Sequence, residues 1–226
     1  MIFIMRYVIR ILFLFPVILF SFYVSAFTQS LTWQKLYRGI DNYDTYGADI
    51  CQLNDGGFLI ISNKYNPHYV FILHVNKFGG VLDSNSLSLT NCVTCVPTND
   101  NCCMIIGYEY PPSASVFAAK INSTGQIVWK KNYDSTGATE CEKIIRTTDN
   151  KYLCCGRTNY WYGFAMKIDE NGNLLWKKTY PVSFIKEYKW VCESNVSGYV
   201  LAGIILDSAT SPAQGIITKI DTSGNI

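Results

Sequence analysis

The chain of 226 residues is poor in residue types and motifs that many enzymes use. It has only two histidines, and it contains no Gly-x-Ser-x-Gly, His-Glu-x-x-His or phosphate-binding glycine loop. His74 lies in the apolar run VFILHVN, so we expect a buried strand histidine with a satisfied hydrogen-bond partner. These absences weaken hydrolase, zinc-protease and nucleotide-binding hypotheses. Enzymatic activity stays undecided, with binding favoured over catalysis.

An excess of charge of either sign is also missing. The chain has 19 basic and 17 acidic residues, and residues 1–26 contain Arg6 and Arg10 but no acidic residue. Residues 27–226 therefore carry basic and acidic side chains in equal number. Nucleic acids and anionic membrane surfaces require concentrated positive charge. We therefore expect no nucleic-acid partner.

The N-terminus has the layout of a secretory signal peptide. The two arginines precede the uncharged run ILFLFPVILFSFYV, and Val24-Ser25-Ala26 places small or modest residues at the cleavage positions. We predict a signal peptide at 1–26, which directs the chain to the periplasm, the cell surface or the medium. The alternative is an uncleaved signal anchor, because the run is nearly long enough to cross a bilayer. Otherwise we expect no membrane span in the mature chain.

Nine cysteines are present, an odd number that leaves at least one thiol unpaired within the chain. Cys92-Val-Thr-Cys95 has the spacing of half a zinc site, yet no second cysteine or histidine pair follows at a suitable distance. Our interpretation is that most cysteines are small buried apolar residues in strands. No metal ion or cofactor is expected.

Two independent sequence markers recur with the same period. Gly79, Gly125, Gly172 and Gly224 are 46, 47 and 52 residues apart, each beside a hairpin-like turn. A second marker recurs as DGGFLIIS (55–62), DNCCMIIG (100–107), DNKYLCCG (149–156) and VSGYVLAG (196–203). A shared period in two markers indicates structural repeats.

Each repeat contains four strand-like segments. In the third repeat these are CEKIIRT (141–147), KYLCCGRT (151–158), GFAMKID (163–169) and LLWKKTY (174–180), and Asn-Gly within ENGN favours a tight hairpin. Four short antiparallel strands per ~45 residues are typical of a β-propeller blade. We predict an all-β domain over 27–226, with a lone outer strand at 31–47 and blades at 48–91, 92–137, 138–184 and 185–226.

About four blades are visible. The segment around Gly224, IDTSGNI, ends before the position at which the segments around Gly125 and Gly172 have a tryptophan. We therefore interpret the chain as a C-terminally incomplete part of a larger ring. Trp129 and Trp176 fall on outer strands, where they are expected to pack against the next blade. In the segment around Gly79, Asp83 stands at the position that corresponds to these tryptophans.

The repeated phrases resemble those of known proteins. D-G-G-[FY]-x-[IL]-x-[SG] followed by K-[IV]-[DN]-x-x-G-x-[IL]-x-W-x-K-x-Y resembles the repeats of bacterial secreted β-propeller proteins, many of unknown function. AKINSTGQIVW (119–129) is also similar to the tryptophan-docking repeat of pyrroloquinoline-quinone-type propellers. The likeness covers about residues 31–226, and it implies a fold and not a chemistry.

The quinone-type resemblance implies an alternative function, a fragment of a quinone-dependent oxidoreductase. Cys102-Cys103 and Cys154-Cys155 are similar to the vicinal disulfide of those enzymes, which lies in a turn over the cofactor. Here each pair falls within a predicted strand, where successive side chains point to opposite faces. A structural repeat without a ligand is a further alternative.

Connections of variable length and sequence all leave one end of the predicted blades, where binding sites on rigid scaffolds usually lie. This loop face is aromatic and nearly uncharged, with Tyr43, Tyr46 and Tyr188 nearby. We predict a secreted or surface-displayed binding or scaffold module whose ligand is a carbohydrate or a protein. In the alternative interpretation the rings only fill the channel or pack between loops. The candidate ligand-binding residues are Tyr65, His68, Tyr69, Tyr110, Tyr160, Trp161 and Tyr162.

Overall fold

The computed structural model describes residues 32–37, 45–65, 68–109, 115–133, 139–158, 162–181, 185–206 and 212–226. The predicted signal peptide at 1–26 lies outside the described residues. Every regular element in the described part of the chain is a β-strand. A helical membrane span is therefore not found among these residues.

Fifteen strands form four antiparallel sheets, which we call blades 1 to 4. Blade 1 contains β1 (Thr45–Gln52), β2 (Phe58–Tyr65), β3 (His68–Val75) and β4 (Val81–Leu87). Blade 2 contains β5 (Asn91–Pro97), β6 (Cys103–Glu109), β7 (Ser115–Ile121) and β8 (Ile127–Asn132). Blade 3 contains β9 (Thr139–Arg146), β10 (Tyr152–Thr158), β11 (Gly163–Ile168) and β12 (Leu174–Tyr180). Blade 4 contains β13 (Ile185–Glu193), β14 (Tyr199–Ile205) and β15 (Gln214–Ile220).

Within each blade the strands pair in chain order, which confirms the predicted all-β propeller blades. Blades 1 to 3 have four strands, and blade 4 has three in the described residues. The first strand of each blade, here called the inner strand, contacts the inner strand of the next blade. The described strands form four consecutive blades without a closed ring.

The N-terminal segment 32–37 differs from expectation, because none of these residues is in a strand. The lone outer strand predicted at 31–47 is therefore absent from its described part before Thr45, where β1 begins. A strand needs a ladder partner, and none of the four described sheets includes this segment. Tyr37 nevertheless donates its hydroxyl to the carbonyl of Gly79 in the β3–β4 turn, at 3.0 Å.

The second and third strands of blades 2 and 3 are buried on both faces, as their continuous apolar sequences predict. Successive residues of β6 belong to different clusters: Ile105 faces blade 1, whereas Met104 faces blade 3. The interior therefore consists of three layers between consecutive blades, which we call seams 1–2, 2–3 and 3–4. Representative members are Leu59 and Phe117 in seam 1–2, Met104 and Phe164 in seam 2–3, and Leu153 and Leu201 in seam 3–4.

The outer-strand tryptophans pack against the next blade, as predicted. Trp129 of β8 belongs to seam 2–3 and lies over Gly172 of blade 3, where a Cβ atom would approach the ring to 2.6 Å. Trp176 of β12 lies over Gly224 in the same manner, and its indole N–H donates to the carbonyl of Thr222 at 3.2 Å. Each ring therefore rests on the glycine of the following hairpin turn.

The same turns accept hydrogen bonds from the preceding blade. Tyr133 donates its hydroxyl to the carbonyl of Gly172 at 2.9 Å, and Tyr180 donates to Gly224 at 2.9 Å. At seam 1–2 the amide of Asn85 donates to Gly125 at 3.1 Å. Burial raises the pKa of both tyrosines, so their hydroxyls stay protonated donors at neutral pH.

Acid–lysine pairs hold the first hairpin turn of blades 2 and 3 to their third strands. The carboxylate of Asp100 lies 2.6 Å from Nζ of Lys120, and that of Asp149 lies 2.8 Å from Nζ of Lys167. His74 occupies the corresponding register position on β3. It is buried, as predicted, but its Nε2 has no hydrogen-bond partner within the described residues, so the expected satisfied partner is not found there.

We predict that Gly172→Ala destabilises the protein more than Gly56→Ala. Both glycines have positive φ, +72° and +81°, which costs an alanine about 1–2 kcal/mol. A Cβ at Gly56 meets only Lys77 Cβ at 3.7 Å, whereas one at Gly172 strikes the Trp129 ring, which adds about 1–3 kcal/mol of overpacking. Urea unfolding of the two variants measures the difference. Equal losses of unfolding free energy in the two variants would show that the packing of the Trp129 ring does not require a glycine at position 172.

We also predict a loss of stability in acid that depends on Asp100 and Asp149. Burial alone would raise the pKa of Asp100, but the hydrogen bonds from Lys120 and Thr98 outweigh burial and lower the pKa to about 2. The pKa of Asp149 is also lowered, because Lys167 and Thr147 outweigh its burial. A carboxyl with a depressed folded-state pKa stabilises the fold above its unfolded value near 3.9, and this contribution is lost as pH falls toward 2.

The measurement is the thermal midpoint between pH 4.5 and 2 for the wild type, Asp100→Asn, Asp149→Asn and the double variant. Each asparagine should flatten the acid slope, and the double variant should flatten it most. The effect per residue should stay below about 1 kcal/mol, because the side chain of Asp100 is 56% exposed and screened by water. Asp83→Asn, on an exposed part of β4, is the control. An unchanged slope in the double variant would contradict the assignment.

Candidate functional site

Each inner strand contains a β-bulge at the same register position. The shifts occur between Gly47 and Asp49 on β1, between Cys92 and Thr94 on β5, and between Tyr188 and Trp190 on β13. On β9 the shift lies opposite Cys155 and Gly156. A bulge inserts one unpaired residue and redirects the side chains beside it. The bulge pairs, each consisting of the inserted residue and the one after it, are Ala48-Asp49, Val93-Thr94, Glu142-Lys143 and Lys189-Trp190.

Small residues on the neighbouring strands make these bulges possible. A Cβ at Gly107, Gly156 or Gly203 would lie 1.9, 2.0 or 2.1 Å from the carbonyl oxygen that precedes the bulge in its own blade. Only glycine permits such a close approach of two backbones. In blade 1 the corresponding residue is Ser62, which pairs with Gly47 of the inner strand. The close approach thus explains the glycine that ends the second sequence marker in blades 2, 3 and 4.

The four bulge pairs together line one cavity of about 410 Å³. All eight residues come from the inner strands, so the cavity lies where the blades converge. The bulge pairs lie near the middle of the inner strands. We call the cavity that they line the inner channel.

On the side of blades 1 and 2, hydrogen bonds connect the residues that line the channel. Oδ2 of Asp49 accepts from the Thr94 hydroxyl at 2.9 Å and from the backbone N–H of Cys95 at 3.0 Å. Nζ of Lys143 donates to the same Thr94 hydroxyl at 3.3 Å. Asn63 of blade 1 holds the bulge of blade 2, because its side chain accepts from Cys92 N–H and donates to Cys92 C=O at 2.9 and 2.7 Å.

On the side of blades 3 and 4 the channel carries a chain of ion pairs. Nζ of Lys189 lies 3.0 Å from Glu142 and 2.9 Å from Glu187, and Arg157 contacts Glu187 and Glu140. Burial raises the pKa of Glu142, while Lys189 opposes the shift. Burial alone would lower the pKa of Lys189, but its hydrogen bonds to Glu187 and Glu142 outweigh burial and raise the pKa. The four bulge pairs thus contain two acidic residues and two lysines, whose formal charges cancel.

Trp190 is the aromatic member of the channel lining. Its side chain is 62% exposed, although it lies within a strand. Nζ of Lys143 lies 5.2 Å from the centre of its ring, a cation–π contact that links blades 3 and 4. A large exposed ring beside fixed polar groups is a surface on which a flat apolar face can stack.

The predicted loop-face residues are only partly within the described structure. Tyr110, Tyr160 and Trp161 lie outside the described residues, as does the side chain of Tyr65, and Tyr43 lies outside them too. His68 is exposed at the start of β3, and Tyr162 is exposed just before β11. The two residues begin the third strands of different blades, so they lie at the predicted end.

Tyr69 and Tyr188 have structural contacts. Lys64 is buried with 2% of its surface exposed, and its Nζ donates to the hydroxyl of Tyr69 at 3.0 Å. Tyr188, expected near the loop face, is buried in seam 3–4. It packs edge-on against Tyr180 and bonds the hydroxyl of Thr218 at 2.7 Å. This ring therefore packs between two blades and does not belong to the loop face.

The cysteines are mainly core residues, as predicted. Seven of the nine are buried, Cys102 is half-buried, and Cys192 is exposed. Cys154 faces seam 2–3 and Cys155 faces seam 3–4, so this vicinal pair points to opposite faces. Cys102 precedes β6 and is not part of that strand, which begins at Cys103. Neither pair forms a disulfide in the structure.

Comparison with known proteins extends the fold assignment but not the function. No family model matches the chain, and no curated protein matches it. A crystal structure of a protein of unknown function from Bacteroides caccae is similar, with a TM-score of 0.51 and 14% sequence identity. The match covers 80% of this chain and 65% of that chain, so this chain spans less than two thirds of its length. Similarity at this level of identity supports the fold alone.

We predict that Gly156→Ala disrupts the bulge of blade 3, whereas Gly47→Ala is tolerated. A Cβ at Gly156 would lie 2.0 Å from the carbonyl oxygen of Glu140, so the inner strand has to move. At Gly47, inside the bulge of blade 1, a Cβ meets nothing within 4 Å. We expect a loss on the order of 3 kcal/mol or more for Gly156→Ala and within about 0.5 kcal/mol for Gly47→Ala. Urea unfolding decides it, and a tolerated Gly156→Ala would refute the close-approach role.

Proposed function

We propose that this chain is a secreted binding module that holds a carbohydrate at the mouth of the inner channel. The observation that carries this proposal is the convergence of the four bulge pairs on one cavity that contains an exposed tryptophan. The predicted signal peptide supports export, and the aromatic residues predicted for the loop face are further candidates for contact with the ligand. This proposal keeps the carbohydrate hypothesis from the sequence and moves its centre from the loops to the inner strands.

The size of the channel suits a small polar molecule. Its volume of about 410 Å³ falls within the usual range of ligand pockets, roughly 300–1,000 Å³. Trp190 offers a ring for the apolar face of a sugar, while Thr94, Lys143 and Glu142 offer donors and acceptors for its hydroxyl groups. Those polar groups are already held by hydrogen bonds and ion pairs, so binding needs little reorganisation.

The charge of the lining favours a neutral ligand. Asp49 and Glu142 balance Lys143 and Lys189 among the eight lining residues. A strongly anionic or cationic ligand would leave one pair of these charges repelled or desolvated without compensation. A neutral sugar with many hydroxyl groups interacts with both signs. This balance favours a carbohydrate over a nucleotide or a charged peptide.

The test is a glycan array with the full chain, followed by calorimetric titration of the glycans that bind. Trp190→Ala should weaken the affinity about tenfold or more, because an anchoring ring contributes at least ~1.4 kcal/mol. Trp190→Phe should keep part of it. Val196→Ala, at a 93% exposed position, is the control for an exposed substitution and should change nothing.

Tyr162→Ala separates the channel from the loop face. If Tyr162→Ala abolishes binding and Trp190→Ala leaves it intact, the site lies on the loops and the channel proposal fails. If no glycan binds, the carbohydrate proposal fails. Recovery of a protein partner whose binding requires Trp190 would replace the sugar with a protein ligand.

A further inference from the structure

Three cysteine sulfurs converge inside seam 1–2. The Sγ atoms of Cys51, Cys95 and Cys103 all lie within 4.8 Å of one another. The residues are 1%, 6% and 0% exposed, and they come from β1, β5 and β6. The cluster thus forms only when blades 1 and 2 pack together, with two ligands from one blade and one from the other.

The other two seams show what a purely apolar core uses at the same three positions. By strand register, Cys51 corresponds to Val96 in seam 2–3 and to Ile145 in seam 3–4. Cys95 corresponds to Ile144 and Val191, and Cys103 corresponds to Tyr152 and Tyr199. Those residues belong to the hydrophobic clusters of their seams. Seam 1–2 therefore has three cysteines at positions where each of the other two seams has two aliphatic residues and a tyrosine.

The thiolate is the form of cysteine that binds a metal ion, so an ion that enters this cluster displaces the thiol protons.

We propose that Cys51, Cys95 and Cys103 form a binding site for one thiophilic metal ion, with Cu(I) as its preferred occupant. Soft sulfur ligands select Cu(I), zinc and iron–sulfur clusters. Structural zinc sites are almost always four-coordinate, and no fourth histidine, cysteine, aspartate or glutamate joins the three sulfurs among the described residues. In the binding step, three metal–sulfur bonds form, and the thiol protons of the cluster leave to water. The ion would connect blade 1 to blade 2.

The test uses the full chain, purified without oxygen in a phosphine reductant and titrated with Cu(I) against a coloured Cu(I) chelator. We expect one equivalent bound, with ultraviolet sulfur-to-copper charge-transfer absorption. The affinity should rise with pH as protons are released. Binding to the folded chain should also raise the thermal midpoint, since a ligand at 100 times its Kd adds about 2.7 kcal/mol.

Variants taken from the neighbouring seams separate metal binding from packing. Cys51→Val plus Cys95→Ile copies the aliphatic residues found at those positions in the other seams, so the fold should be retained while the copper equivalent is lost. Cys51→Ser, Cys95→Ser and Cys103→Ser should each lower the affinity at least tenfold. Cys192→Ser, at an exposed position, and Cys102→Ser should leave the copper equivalent intact.

Four outcomes would overturn the proposal. The first is no Cu(I) binding by the folded reduced chain, and the second is binding that survives the Cys51→Val, Cys95→Ile double variant. The third is tighter binding of Zn(II) than of Cu(I), which would remove the three-coordinate assignment. The fourth is a disulfide between two of the three cysteines in the natively purified protein, found by peptide mapping without reductant.

Discussion

The contact between a ring on one blade and a glycine turn on the next sets the arrangement of the blades. Trp129 and Trp176 rest on turns that contain Gly172 and Gly224, and Tyr133 and Tyr180 bond the carbonyls of the same glycines. One outer strand thus determines where the following hairpin lies. This contact recurs at seams 2–3 and 3–4, whereas seam 1–2 has Asp83 at the tryptophan position and uses the hydrogen bond from Asn85 to Gly125. The inner strands of consecutive blades contact one another, and the inner channel lies between them.

The strands and their order were predictable because they follow from local chemistry. Continuous apolar runs such as CMIIG predicted strands buried on both faces, and Asn171-Gly172 predicted the last hairpin of blade 3. The Trp129 packing was predictable too, since the ring and its glycine recur in the same register in successive repeats. These features depend on neighbours in sequence or on the repeat itself.

The inner channel was missed, although a sequence signal for it exists. Cys92-Val-Thr-Cys95, Cys141-Glu-Lys-Ile144 and Tyr188-Lys-Trp-Val191 each place two residues between buried positions, which breaks the alternation of a regular strand. Cys92-Val-Thr-Cys95 also has the spacing of half a zinc site, which we rejected for lack of a second pair, and the structure shows that this spacing is that of a bulge. Three of the seven predicted site residues, Tyr110, Tyr160 and Trp161, lie outside the described structure. The thiol cluster was beyond prediction, because Cys51 meets Cys95 and Cys103 only through the docking of two blades.

The bulges separate the positions that specify the fold from those that face the channel. The four bulge pairs are Ala-Asp, Val-Thr, Glu-Lys and Lys-Trp, with no residue type shared at the inserted position, while the strand beside each keeps a glycine or serine. The inserted residue of each bulge has no partner in the ladder, so strand pairing does not determine its type. Successive blades have diversified at these positions within a single chain. The same backbone thus accepts chemically different side chains at its inserted positions, while the residues that follow them, such as Asp49, bind the neighbouring blade.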